Sequence, residues 1–77
     1  MENKRESQLL EQSKELFKKN SLGKAEKLLE EVIELNPANA EAYFYIGNIF
    51  HIKGLLGKAV KAFNKTLELD SNHTDAA

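Results

Sequence analysis

Cysteine is absent from the 77 residues, which excludes disulfides and thiolate metal sites from the outset. An excess of either charge is absent too. Lysine and arginine number 11 against 12 aspartates and glutamates, and the two signs are mixed along the chain. Such a balance argues against a nucleic-acid footprint. No apolar run approaches the ~18 residues that a membrane span needs, and Met1-Glu2-Asn3-Lys4-Arg5-Glu6 has nothing of a signal peptide's apolar region. The expectation is a cytoplasmic chain that avoids both membrane and nucleic acid. At this length it forms one small domain, burying about 60% of its unfolded surface.

Reactive constellations are scarce as well. His51 and His73 are not spaced as ligands on one helical face, and no carboxylate cluster accompanies them, so no metal is expected. Gly54-Leu55-Leu56-Gly57-Lys58-Ala59 has a superficial likeness to a phosphate loop. It has 2 residues between its glycines where about four are required, and neither Ser nor Thr comes after the lysine. No Ser, His and acid arrangement points to a nucleophile. The chain is therefore read as a non-enzyme, without catalytic residues or cofactor.

What is present is helical periodicity. From 3 to 19, Leu9, Leu10, Leu16 and Phe17 stand among strong helix formers. Asn20-Ser21 interrupts this first helix, and Ser21 suits the N-cap of the next. In the second, 22–35, Leu22, Ala25, Leu29, Val32 and Ile33 recur at steps of three and four and make one dry stripe. Pro37 ends it by disfavouring helical geometry at Asn36, and Asn39 can cap the third helix. That helix, 40–53, is apolar nearly all round between Tyr43 and Ile52, so it must be covered on both sides. Gly54 suits the left-handed conformation that closes helices. The fourth, 56–69, carries Leu56, Ala59, Val60, Phe63 and Leu67 on one stripe.

Sliding the chain against itself by 34 residues superposes its halves. Leu9 meets Tyr43, Leu16 meets Phe50, Leu22-Gly23-Lys24-Ala25 meets Leu56-Gly57-Lys58-Ala59, and Leu29 meets Phe63. In the second copy Tyr43, Ile46-Gly47, Phe50, Gly54, Leu56, Ala59 and Phe63 succeed one another at fixed offsets. Gly47 and Ala59, both small, are expected to face each other where the third and fourth helices cross. The first copy has Leu9 for the aromatic and Ser13 for the glycine, but keeps Ala25 and Pro37. A paired-helix unit of this period, with these residues, resembles the tetratricopeptide repeat.

The resemblance covers almost the whole chain and implies an all-α fold, a short right-handed α-solenoid of antiparallel helix pairs. Residues 1–77 are then one domain, with repeat one at about 6–39, repeat two at about 40–73 and the start of a further helix at 74–77. It further implies a scaffold for protein–protein interaction, with a peptide or partner helix lying along the concave face formed by the first helix of each repeat. On helical spacing Leu10, Lys14 and Phe17 share the corresponding side of the first helix, and Phe44, Asn48 and His51 that of the third. A carboxylate clamp of the kind some family members carry is not expected, since Leu10 and Lys14 stand where its Lys and Asn would be. The competing expectation is self-assembly, or a structural segment of a longer repeat protein. On that view a homodimer forms through the uncovered stripe Leu56, Val60, Phe63 and Leu67 of the last helix.

Overall fold

The computed structural model describes residues 4–74 and the side chains of 4–70. Among the described residues four helices are arranged in the order α1 (Lys4–Lys18), α2 (Leu22–Leu35), α3 (Ala40–Ile52) and α4 (Leu56–Thr74). No strand occurs among the described residues. Each helix packs on the next in the chain, α1 on α2, α2 on α3 and α3 on α4, which is the nearest-neighbour order of a helical solenoid. The all-apolar α3 is thus covered by α2 on one side and α4 on the other, as its composition requires.

The ends of the helices have local causes. Asn20 (φ 67°) and Gly54 (φ 83°) both adopt the left-handed conformation, 34 residues apart. Behind each, two backbone bonds close the last turn. Asn20 N–H donates to Phe17 O at 3.0 Å and Ser21 N–H to Leu16 O at 2.8 Å; Gly54 N–H donates to His51 O and Leu55 N–H to Phe50 O. This is the Schellman pattern, which satisfies carbonyls left open by the helix end. Asn36, ahead of Pro37, is extended, and the Asn39 side chain accepts a hydrogen bond from Ala42 N–H at 3.0 Å, capping α3. Ser21 differs from expectation, for its side chain makes no cap to α2. Its backbone is committed to the Schellman bond instead, with its carbonyl taken by Ala25 N–H.

The fourth helix runs past the expected 69 to Thr74. Pro37 stops α2 two residues beyond Leu35, whereas the matching Ser71 keeps the N–H that a further helical turn needs. Thr74 therefore belongs to α4 rather than to a new helix, and 75–77 lie outside the described residues.

The core joins Leu9 and Leu10 of α1 to Ala25, Leu29 and Val32 of α2, Ala42, Ile46 and Ile49 of α3, and Ala62 of α4. At the crossing of α3 and α4, where Gly47 and Ala59 are expected to face each other, the nearest neighbour of Gly47 is a ring. Ala59 is buried, yet what fills the space over Gly47 is the Phe63 ring, whose carbons would lie 2.6–2.7 Å from a Cβ at position 47. A flat ring needs the room that only a missing side chain leaves. Gly23 and Gly57, the second residues of α2 and α4, have no such neighbour. Their φ is not positive either. Gly57→Ala is accordingly expected to stabilise the fold by about 0.4–1 kcal/mol, because alanine has less freedom to lose from the unfolded chain. The melting temperature should rise by about 4–8 °C per kcal/mol, and a thermal melt with no rise would count against an open site at 57.

Candidate functional site

The expected concave face is the side on which α1 and α3 lie next to each other. Side-chain contacts at three levels join α1 to α3 and to the turn before it. At the start of α1 the Glu6 carboxylate accepts from Asn36 Nδ2 at 2.8 Å and Asn39 Nδ2 at 2.6 Å, tying α1 to the turn before α3. In the middle Lys14 Nζ lies 2.8 Å from the Glu41 carboxylate. At the far end the Phe17 and Tyr45 rings meet edge to face, centroids 5.5 Å apart, the arrangement that their quadrupoles favour. The hydrogen bond to Glu41 holds the Lys14 ammonium above its ordinary pKa, against an opposing pull from desolvation.

Of the six residues assigned to this face, Leu10 is a correction. It is buried among Leu9, Leu29 and Ile49 in the core, out of reach of any partner. The i, i+4, i+7 spacing placed it beside Lys14, but its side chain belongs to the cluster that α1, α2 and α3 share. Lys14 is partly exposed in its ion pair. Phe17 is half-buried against Tyr45, and Phe44 is exposed, its ring 5.7 Å from that of Tyr45 and 6.1 Å from that of Phe63. Asn48 is half-exposed and donates one amide N–H to Phe44 O at 3.1 Å within its own helix. His51 is exposed. The side chain of His73 lies outside the described residues.

Three residues of the face escaped the reading of the sequence: Glu41, Tyr45 and Ile52. With Asn48 they recur at steps of four, three and four along α3 and so share one side of it. That stripe was hidden because α3 is apolar in every direction. Ile52, in the last turn, is exposed beyond the Phe17–Tyr45 pair. The face thus offers an ion pair at one level, an aromatic edge at the next, a primary amide beside it and an aliphatic end. A shallow depression lined by Ala40, Glu41, Phe44, Thr66 and Asp70 adjoins it toward α4.

Such a surface can bind, by apolar contact, charge and amide hydrogen bonds. Among the described residues no helix is long and apolar enough to cross a membrane. The family model of the tetratricopeptide repeat matches residues 10–74. Over 57 residues the chain is 35% identical to the DnaJ homolog subfamily C member 7 homolog of Schizosaccharomyces pombe, a similarity covering 74% of this chain. The same stretch makes up 12% of that relative's length.

Proposed function

The chain belongs to the tetratricopeptide-repeat family, and on that premise we propose that it docks an extended peptide or partner helix along the face shared by α1 and α3. Tetratricopeptide repeats are in general protein–protein interaction modules rather than catalysts. In this reading residues 6–39 and 40–73 are the two repeat units, and Lys14, Phe17, Phe44, Asn48 and His51 meet the partner. The observation that carries it is the side-by-side placement of Phe17 and Tyr45 between the Lys14–Glu41 pair and Ile52. An extended backbone laid across these levels finds ring surface for its side chains. Asn48, once released from Phe44 O, supplies both a donor and an acceptor for the peptide bond.

Titrating a library of extended peptides against the parent chain, Phe44→Ala and Asn48→Ala tests this. For the peptides that bind the parent, Phe44→Ala is expected to weaken affinity by about tenfold or more, as interface aromatics do. Its stability should fall by less than the about 3–5 kcal/mol that a buried aromatic costs, because the ring is half in water already. Unchanged affinities in both variants would remove this face as the binding site.

A further inference from the structure

The overall balance of charge hides one stretch without an acid. Between Glu41 and Glu68 the sequence carries Lys53, Lys58, Lys61 and Lys65, and neither aspartate nor glutamate. Lys53 pairs with Glu26 of α2 at 2.7 Å. The other three follow one another at steps of three and four along α4, and so share one side of it. Among the described residues Lys58 and Lys61 make no ion pair. Lys65 has Glu68 at 3.7 Å, a long contact between water-accessible groups that holds little energy.

These lysines border an apolar depression of about 330 Å³, lined wholly by α3 and α4. Ile46 and Ala62, both buried, lie at its base, and the half-buried Tyr43 and Phe50 rings line it from α3. Lys58 Nζ is 5.6 Å from the centre of the Phe50 ring, within cation–π reach. On helical spacing Tyr43, Ile46 and Phe50 lie opposite Glu41, Tyr45, Asn48 and Ile52 around α3. The depression is therefore separate from the face shared by α1 and α3.

Comparison of the two repeats shows that the fold does not require it. At the positions 34 residues earlier, Leu28 replaces Ala62, Glu31 replaces Lys65 and Gln12 replaces Ile46. Leu28 is partly buried against the core, so the larger side chain takes up the space that alanine leaves open. Glu31 sets an acid beside the retained Lys24 and Lys27. Open space, apolar base and unbalanced positive charge come together in the second repeat alone.

We infer that this groove docks an acidic segment of a partner protein, with one large apolar side chain against Ile46 and Ala62 and carboxylates on the lysines. Lys58 and Lys65 are separated by about 10 Å along the axis of α4, which an extended chain covers in about three residues. The fitting segment has two acids at that spacing with the apolar residue between them. Nucleic acid suits the groove less. Lys58 already lies against the Phe50 ring where a base would stack, and the chain as a whole is negative.

Fluorescence anisotropy with labelled peptides centred on Asp-Phe-Ser-Asp and Asp-Leu-Ser-Asp tests this on the full chain. Saturable binding is expected, weakening as salt screens the charges. Asparagine for both aspartates, or alanine for the apolar residue, should each weaken it about tenfold. In the protein, Lys61→Glu should weaken binding about tenfold as well. Lys27→Glu, the same change at the matching position of the first repeat, should leave it unaltered. Ala62→Leu, which gives the second repeat the leucine of the first, should weaken binding about tenfold with every lysine in place. Circular dichroism verifies folding, and Lys61 is exposed, so its reversal decides the matter even if Ala62→Leu unfolds. Absence of saturable binding, or an equal loss from Lys27→Glu, would overturn the inference. So would an oligothymidylate that binds more tightly than the peptides, or a parental dimer that Lys61→Glu dissociates, which would give the groove to nucleic acid or to a second copy.

Discussion

Leu29→Ala is expected to lower the unfolding free energy by about 2–5 kcal/mol, the range for truncating a buried leucine. Leu29 is completely buried on α2, within the cluster that α1, α2 and α3 build together. The lost methyl groups forfeit their transfer free energy, and neighbours held by three helices cannot collapse fully into the space. For a chain of 77 residues, total stability is roughly 4–12 kcal/mol, so this one change removes a large part of it. Urea denaturation monitored by circular dichroism should show an earlier midpoint with an unchanged slope. Leu67→Ala is the control. On a largely exposed side chain it should fall within about 0.5 kcal/mol of the parent. Equal losses at the two positions would contradict the burial described for Leu29.

The second large effect is expected of Gly47→Val, which should cost about 1–3 kcal/mol by overpacking. Ordinarily, replacing a mid-helix glycine gains stability, since glycine is about 0.8–1 kcal/mol worse than alanine in a helix. Here the new Cβ would sit 2.6–2.7 Å from the Phe63 ring, well inside contact distance. The ring must swing out, or α3 and α4 must part there. The Phe63 ring also touches that of Phe44, at 6.1 Å, so the disturbance reaches the edge of the proposed binding face. A double-mutant cycle makes this decisive. With Phe63→Ala in place the clash disappears, and the pair of changes should be less damaging than the sum of each alone, by about 0.5–3 kcal/mol. Strict additivity would mean that the ring and position 47 are not in contact.

Local chemistry accounts for how much of this architecture could be read from the residues. The breaks at Asn20, Pro37 and Gly54 act through φ, a missing N–H or a left-handed preference within a turn of themselves, and every helix begins within a residue or so of where they imply. The extension of α4 to Thr74 has an equally local cause, the serine that replaces a proline at 71. Helical spacing put Lys14 and Phe17 on one side of α1, and both make contacts across to α3, at Glu41 and Tyr45. It left open what lies nearest Gly47, because Ala59 and Phe63 stand one turn apart on α4 and period alone cannot say that the Phe63 ring is what reaches across.

The sharpest contrast is between Leu10 and Phe44. They occupy the same position of the same repeat and carry large apolar side chains, so pattern treats them alike. One is buried and the other half in water, because α3 comes after the first helix pair and covers it, whereas α4 has no such neighbour among the described residues. The cross-helix contacts are of the same kind. Lys14 with Glu41 and Phe17 with Tyr45 join residues 27 and 28 apart in the chain. The residues on their own dictated helix, turn, period and family, all of which depend on interactions within a few positions or on a repeated register. Which apolar side chains became core and which became surface was decided by the stacking of one helix on another, since burial is a property of the neighbour as much as of the residue.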